Sequence, residues 1–220
     1  MTHKSQIWKL PAELDPVAAS GLVLTQVGYN VGIRPEITPG DRVVVLGDGM
    51  VGHWAAQTFQ HRGAKVLLLG KHDDRLSKFT LREGDGVVNI TGRAALECVQ
   101  AWTRNEPVAA VAHTAGDIET VESLYPCLKH FGHVVSAGFV GTQGQIDVQK
   151  LRAKELTLHA PAGWTKGRMD ATLELLTQGV LTTTHLITHR FPASMAAEAF
   201  DLILSRSEPV LGVVLDWEGA

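Results

Sequence analysis

Short runs of apolar and β-branched residues alternate along this chain with longer stretches whose apolar positions recur at helical spacing. The short runs lie at 43–46 (VVVL), 66–69 (VLLL), 87–90 (VVNI), 108–112 (VAAVA) and 133–136 (HVVS). Apolar runs without polar alternation suit strands buried on both faces of a parallel sheet. The helical stretches between them, near 51–62, 73–83, 93–104 and 117–130, are each long enough to cross back to a parallel neighbour. Strand, helix and strand in series predict an α/β fold: a doubly wound parallel sheet of Rossmann type with helices on both faces.

The two ends do not follow that repeat. Before it, Asp15-Pro16 opens a helix expected to run through about Val31, with proline suited to a first helical turn. After it come a strand near 155–159, a helix near 167–178, the segment 186–191 (LITHRF), a helix near 194–205 and a last strand at 210–215.

Composition narrows the classes. With 220 residues, 45% apolar and 20% charged, the chain can bury a full core and leaves no room for a long disordered tail. A net charge of -3 and the absence of a lysine and arginine stripe exclude nucleic acid as an expected partner. No apolar stretch approaches the ~18 residues that span a bilayer, so no membrane partner is expected, and Met1-Thr2-His3-Lys4 lacks the apolar core of a secretory signal. The expected location is cytoplasmic. Cys98 and Cys127 stand far apart in apolar surroundings and are expected to be small buried side chains rather than metal ligands.

The chemistry starts where the first predicted strand ends. It runs into Gly47-Asp48-Gly49-Met50-Val51-Gly52, a G-x-G-x-x-G turn, and then into a helix from His53. Gly47 permits the sharp turn, Gly49 lets backbone approach a pyrophosphate, and Gly52 lets helix pack on strand. The amides at the helix start, Met50 and Val51 among them, point at the phosphates, and the helix dipole favours their charge. With strand before and helix after, the turn predicts a nicotinamide dinucleotide site.

An NAD-preferring site usually offers an acid at the end of the second strand, about 20 residues further on. Gly70 stands there instead, followed by Lys71, His72 and Arg75. Space plus cationic or hydrogen-bonding groups suits a 2′-phosphate, so NADP(H) is expected before NAD(H). Asp73 reads as a cap of the next helix.

These features resemble the nucleotide-binding half of the medium-chain dehydrogenase/reductase superfamily, the zinc-type alcohol dehydrogenases and their relatives. The matching residues include Leu10-Pro11, Thr25 and Tyr29, Pro39-Gly40-Asp41-Arg42-Val43, Gly47 to Gly52, Gln57, Gly63-Ala64-Lys65-Val66, Arg75-Leu76, Gly132-His133-Val134-Val135, Gly138, and the late Ile187 to Phe191 with Glu198-Ala199-Phe200. The resemblance implies that Thr25 and Tyr29 lie near the nicotinamide, that Ala115-Gly116 and Gly138-Phe139-Val140 line the cofactor cleft, and that a homodimer forms through the strand near Leu156–Leu158. It also implies an organisation: residues 1–31 as linker and opening helix at the junction to a catalytic domain, 32–205 as the dinucleotide-binding domain, and 206–220 as a strand returning to that catalytic domain.

One departure is large. The resemblance implies a GroES-like catalytic barrel before this region, supplying most zinc ligands, and these 220 residues are expected to include none of it. Ala19-Ser20-Gly21-Leu22, where one further ligand would sit, offers no thiolate, imidazole or carboxylate, and the histidines are scattered, so no metal is expected. Gln6–Trp8 and Val210–Leu215, which would border the barrel, should present unpaired strand edges and exposed apolar side chains for a partner to cover. Tyr125-Pro126-Cys127-Leu128-Lys129 matches the Tyr-x-x-x-Lys pair of short-chain dehydrogenases, but its place before the fifth strand and its internal proline mark it as structural.

The expected function is an NADP(H)-binding oxidoreductase of the medium-chain alcohol dehydrogenase type, moving hydride between nicotinamide and an alcohol or carbonyl substrate, with no catalytic residue identified. The alternative is a non-catalytic NADP(H)-binding module or subunit. Methyl transfer is disfavoured by the G-x-G-x-x-G spacing and the late His-Arg-Phe segment.

Overall fold

The computed structural model of the chain describes residues 7–141 and 144–217; Gln6 lies outside the described residues. The elements are α1 (Pro16–Ala19), α2 (Leu22–Ile33), β1 (Arg42–Leu46), α3 (Met50–His61), β2 (Lys65–Gly70), α4 (Asp73–Leu76), β3 (Gly86–Asn89), α5 (Ala95–Thr103), β4 (Val108–His113), α6 (Ile118–Ser123), β5 (Leu128–Ser136), α7 (Val148–Arg152), β6 (Thr157–His159), α8 (Lys166–Thr177), β7 (Ile187–Pro192), α9 (Ala196–Ser205) and β8 (Gly212–Asp216).

Six strands form a parallel sheet in the order β3-β2-β1-β4-β5-β6, the order of a doubly wound dinucleotide fold with its reversal between β1 and β4. The uninterrupted apolar runs split by strand period into two cores. Val44, Leu46, Leu67, Leu69 and Val111 face α5 and the segment near Tyr125, while Val43, Val45, Val66, Leu68, Ala110 and Ala112 face α3 with Phe59 and Leu76. A second, two-stranded parallel sheet pairs β7 with β8 across α9.

Three expected helices differ from the structure. The opening helix breaks in two at Ser20-Gly21: the Ser20 hydroxyl donates to Val17 O, and Gly21 caps a fresh start. The stretch at 73–83 is helical only to Leu76. Leu76 and Phe79 are both buried three apart, as on a helix, but the backbone peels away so that Asp85 can accept from Val66 N at 2.7 Å and Gln60 Nε2 at 2.6 Å. The stretch at 117–130 stops at Ser123, where Pro126 breaks the continuation, and β5 begins at Leu128 with an irregularity next to Phe131, whose φ is +59°. Tyr125 and Lys129 therefore sit on different elements. Burial pushes the Tyr125 hydroxyl up to about 12, and Lys129 pairs with Asp41 at 3.6 Å.

The segments read as barrel borders also differ in part. Trp8 is half-buried, its indole N–H donating to Asp170 at 2.8 Å and its ring meeting Trp164 edge-on. β8 is paired on one side by β7, while Trp217 and, on α9, Phe200 and Leu204 are exposed. Cys98 is buried and Cys127 half-buried, with burial raising the Cys127 thiol to about 11.

α2 lies against α3 through Gly28 and Gly32. A Cβ on Gly28 would stand 2.5 Å from the Trp54 Cβ, and one on Gly32 2.4 Å from the Thr58 Cβ. Next to Trp54 on α3, His53 is fully buried with neither ring nitrogen hydrogen-bonded. Burial, helped by His185, lowers it to about 4 from the ordinary 6.5. Its folded form stays neutral while the unfolded chain takes up a proton, so stability should fall as pH drops from 6.5 to about 4. For this group the loss amounts to up to about 3 kcal/mol. His113, His133, His159 and His185 are shifted in the same direction, also by burial first. Urea melts of wild type and His53→Leu between pH 7.5 and 4.5 should show a shallower acid slope in the variant; equal slopes would refute the assignment to His53.

Candidate dinucleotide site

At the carboxyl ends of β1, β2, β4 and β5 four loops converge. Gly47 leaves β1 with φ +125°, a conformation that favours glycine, and its N–H donates to Leu69 O at 2.8 Å. Any side chain there would strike Thr114, whose own N–H donates to Leu46 O. Gly52 is needed for contact: its Cβ would stand 1.8 Å from Gly47 O. Gly49 is different. It adopts ordinary extended backbone at the N-cap of α3, no side chain caps the helix, and a Cβ there meets nothing within 4 Å. The first turn of α3, with Met50 and Val51, therefore presents uncapped amides to open space, the arrangement that binds a phosphate. The residues present fit a pyrophosphate on this observation.

Against the end of β2 sits an acid from the glycine turn. Asp48 is buried, and its Oδ2 accepts from Lys71 N at 2.7 Å and His72 N at 2.8 Å. The His72 ring Nδ1 lies 3.0 Å from the same oxygen, and Arg75 lies 3.9 Å from Oδ1 while donating to Val210 O at 2.8 Å. Lys71 reaches Asp117 at 3.6 Å. Hydrogen bonds from Thr120, and then the Lys71 charge, hold the Asp117 carboxyl below its usual range. Each of the three cationic or titratable groups expected to greet a 2′-phosphate thus already faces a carboxylate.

The loops after β4 and β5 are joined by His113. Burial lowers this histidine, so it is neutral; its Nδ1–H donates to Ala115 O at 2.8 Å, and its Nε2 accepts from the Ser136 hydroxyl at 2.8 Å. Gly138 and Gly116 permit the close approach: a Cβ on Gly138 would lie 1.9 Å from Ala115 O, and one on Gly116 2.5 Å from Phe139 O. His113, one of the histidines scattered along the sequence, thus ties the two loops together. Its signal was a polar residue closing an otherwise apolar strand.

The predicted residues Gly47, Gly49, Met50, Val51, Gly52, Gly70, Lys71, His72, Arg75, Ala115, Gly138 and Phe139 meet at this edge, with Phe139 strongly exposed. Thr25 is the exception. It is fully buried, its hydroxyl donates to Gly21 O at 3.1 Å, and it faces the α2–α3 packing rather than the open edge. Tyr29 packs with Leu14, Leu176 and Leu181. Two clefts flank the strand ends. One of about 660 Å³ lies between Lys71, Thr91, Arg93 and Thr120, and one of about 760 Å³ lies between Met50, His72, Arg75, Arg206 and Gly212.

This sheet order and glycine turn are those of a Rossmann-type fold. Residues 50–178 match the family described as zinc-binding dehydrogenase, and the chain belongs to that family. Among curated relatives, L-galactonate-5-dehydrogenase of Escherichia coli is 23% identical over 207 residues, covering 93% of this chain and 61% of the relative. 2-Desacetyl-2-hydroxyethyl bacteriochlorophyllide A dehydrogenase of Cereibacter sphaeroides is 34% identical over 108 residues, 49% of this chain and 34% of the relative. Among solved structures, L-idonate 5-dehydrogenase from Escherichia coli superposes with a TM-score of 0.84 at 18% identity, covering 98% of this chain and 62% of that one. An NADH complex of an alcohol dehydrogenase from Escherichia coli gives 0.83 at 20%, covering 96% and 62%. A dehydrogenase from Sinorhizobium meliloti bound to NADP gives 0.79 at 21%, covering 95% and 62%. The chain spans about three fifths of the length of such relatives.

The family's name implies zinc, but the described residues do not fit it: no three His, Cys, Asp or Glu among them come together to hold a metal ion. Among the described residues no helix is long and apolar enough to cross a membrane.

Proposed function

We propose that this chain holds a nicotinamide dinucleotide across the carboxyl edge of its sheet and that it serves an oxidoreductase of the alcohol dehydrogenase type. The open space above Gly49 at the uncapped start of α3 carries this reading. Gly47, Gly49 and Gly52 shape the phosphate cradle, Met50 and Val51 offer amides, and Ala115, Gly138 and Phe139 line the path towards the nicotinamide. The bound cofactor would supply a hydride donor or acceptor at nicotinamide C4, and the chain's part is to orient it. The substrate fitting that chemistry is an alcohol or its carbonyl partner.

Two cofactors compete. Lys71, His72 and Arg75 are the groups that would meet a 2′-phosphate, which supports NADP(H). Asp48, set among them, supports NAD(H). The outer edge of β6, the last strand of the sheet, supports a homodimer through strand pairing, with Leu158 partly exposed on it. The exposed apolar residues of α9 support a covering catalytic domain, with residues 1–31 and 206–220 as its junctions.

Titration of the purified chain with NADH and NADPH, followed by nicotinamide fluorescence, should give saturable binding of at least one of them. Binding of neither would overturn the proposal. Turnover in an alcohol and carbonyl screen then separates the enzyme from a non-catalytic binding module, which would bind with no turnover under any condition.

A further inference from the structure

β2 ends in a residue without a side chain, yet a carboxylate fills the space beside it. A Cβ on Gly70 would stand 2.3 Å from Asp48 Oδ2, 2.5 Å from its Cβ and 2.6 Å from its Cγ. In dinucleotide folds an acid at this strand end meets the adenosine ribose 2′-hydroxyl and disfavours a 2′-phosphate. We propose that Asp48 is the acid of this site, supplied by the glycine turn rather than by the strand, and that it makes the chain select NAD(H) over NADP(H). The inference rests on the nicotinamide dinucleotide reading above.

Three observations carry it. Asp48 is held in place: two backbone amides and the His72 ring fix Oδ2, so the carboxylate cannot swing away from an incoming phosphate without breaking three contacts. Oδ1 has weaker partners, 3.2 Å to the His72 ring and 3.9 Å to Arg75, and keeps capacity to accept from a ribose hydroxyl. The local charge is already matched, with His72 and Arg75 turned towards Asp48 and Lys71 towards Asp117. A 2′-phosphate, carrying roughly −1.5 to −2 charges at neutral pH, would meet a fixed anion at the wall of its site, with the three nearest cationic or titratable groups already turned to carboxylates.

The pairing also explains Gly70. Two side chains cannot share that volume, so an acid from the turn requires glycine at the strand end. Moving the acid back should therefore restore the usual arrangement, and Asp48→Ala/Gly70→Asp is the variant that does so.

The test measures dissociation constants by calorimetry for NADH, NADPH, ADP-ribose and 2′-phospho-ADP-ribose on wild type, Asp48→Asn and Asp48→Ala/Gly70→Asp. The two ADP-ribose probes report on the adenosine end alone. Wild type should favour each unphosphorylated ligand by about tenfold or more. Asp48→Asn, which keeps an oxygen for the Lys71 and His72 amides, should shrink that ratio at least about tenfold, chiefly through tighter binding of the phosphorylated ligands. The double variant should regain the wild-type ratio. A wild type that binds NADPH as well as NADH, or a ratio unmoved in Asp48→Asn, overturns the role of Asp48 while leaving the dinucleotide site standing. Binding of none of the four ligands by wild type overturns both. If Asp48→Asn does not fold, the wild-type ratio and the double variant decide.

Discussion

Gly49→Ala should weaken NADH binding by roughly 10- to 100-fold while leaving the fold intact, because its methyl would enter the space that a pyrophosphate requires. The free protein has no reason to object: Gly49 has φ -74° and ψ 171°, ordinary extended backbone for alanine, and nothing lies within 4 Å of the added carbon. Alanine is a somewhat poorer N-cap than glycine, so a melting shift of a few degrees at most is expected. The bound state is different, since phosphate oxygens must approach the uncapped amides of α3 to hydrogen-bond distance, and a methyl there holds them off. Calorimetry with NADH and a thermal melt on the same preparation make the check.

Gly52→Ala is the contrast. Its Cβ would lie 1.8 Å from Gly47 O, which forces helix and turn apart in the free protein, so stability and affinity should fall together. If Gly49→Ala bound NADH as wild type does, the phosphate would not lie over α3, and the site would have to be sought elsewhere on the sheet edge.

The sheet and the glycine turn were legible because they are local patterns. An apolar run, a G-x-G-x-x-G and a helical period follow one another without interruption from Val43 to Arg62, and the structure has β1, turn and α3 at those places. Helices were overread where buried residues mimic helical spacing: Leu76 and Phe79 are both core residues, but the helix ends at Leu76 and the chain beyond Phe79 is a loop that Asp85 ties to Val66 and Gln60. Asp48 was legible only in part. An acid between two glycines, with a glycine where the strand-end acid belongs, is visible in the sequence, but its contacts lie 23 and 24 residues away, with Lys71 and His72. Reading Lys71, His72 and Arg75 as phosphate ligands assumed they were free, and only the fold shows which carboxylates they face. Thr25 shows the same limit, since a helix position inherited from a resemblance says nothing of which face is covered, and the fold buries this one.

Trp54→Ala should cost about 3–5 kcal/mol, a fall in melting temperature of roughly 10 °C for a chain of this size, and should weaken the dinucleotide site without touching it. Trp54 is fully buried on α3, one turn beyond Met50, and its indole N–H donates to the Thr183 hydroxyl at 3.2 Å. The neighbouring Gln57 side chain accepts from Thr182 N at 2.9 Å and donates to Thr182 O at 3.3 Å, so the segment after α8 is tied to α3 at both residues. α2 closes over the same ring: a Cβ on Gly28 would stand 2.5 Å from the Trp54 Cβ, and one on Gly21, at the N-cap of α2, 3.6 Å from its Cη2. Removing the indole leaves a cavity among α2, α3 and Thr183 that glycines cannot fill, because they have no side chains to move into it. α3 would then lose the contacts that fix its direction, and the amides at its start would no longer hold one geometry towards a phosphate. Trp54→Phe, which keeps most of the volume and loses the hydrogen bond, should retain most of both properties. Melting curves and NADH affinities for the two variants make the check, and a Trp54→Ala protein as stable as wild type would mean that α2 and α8 do not brace the nucleotide helix.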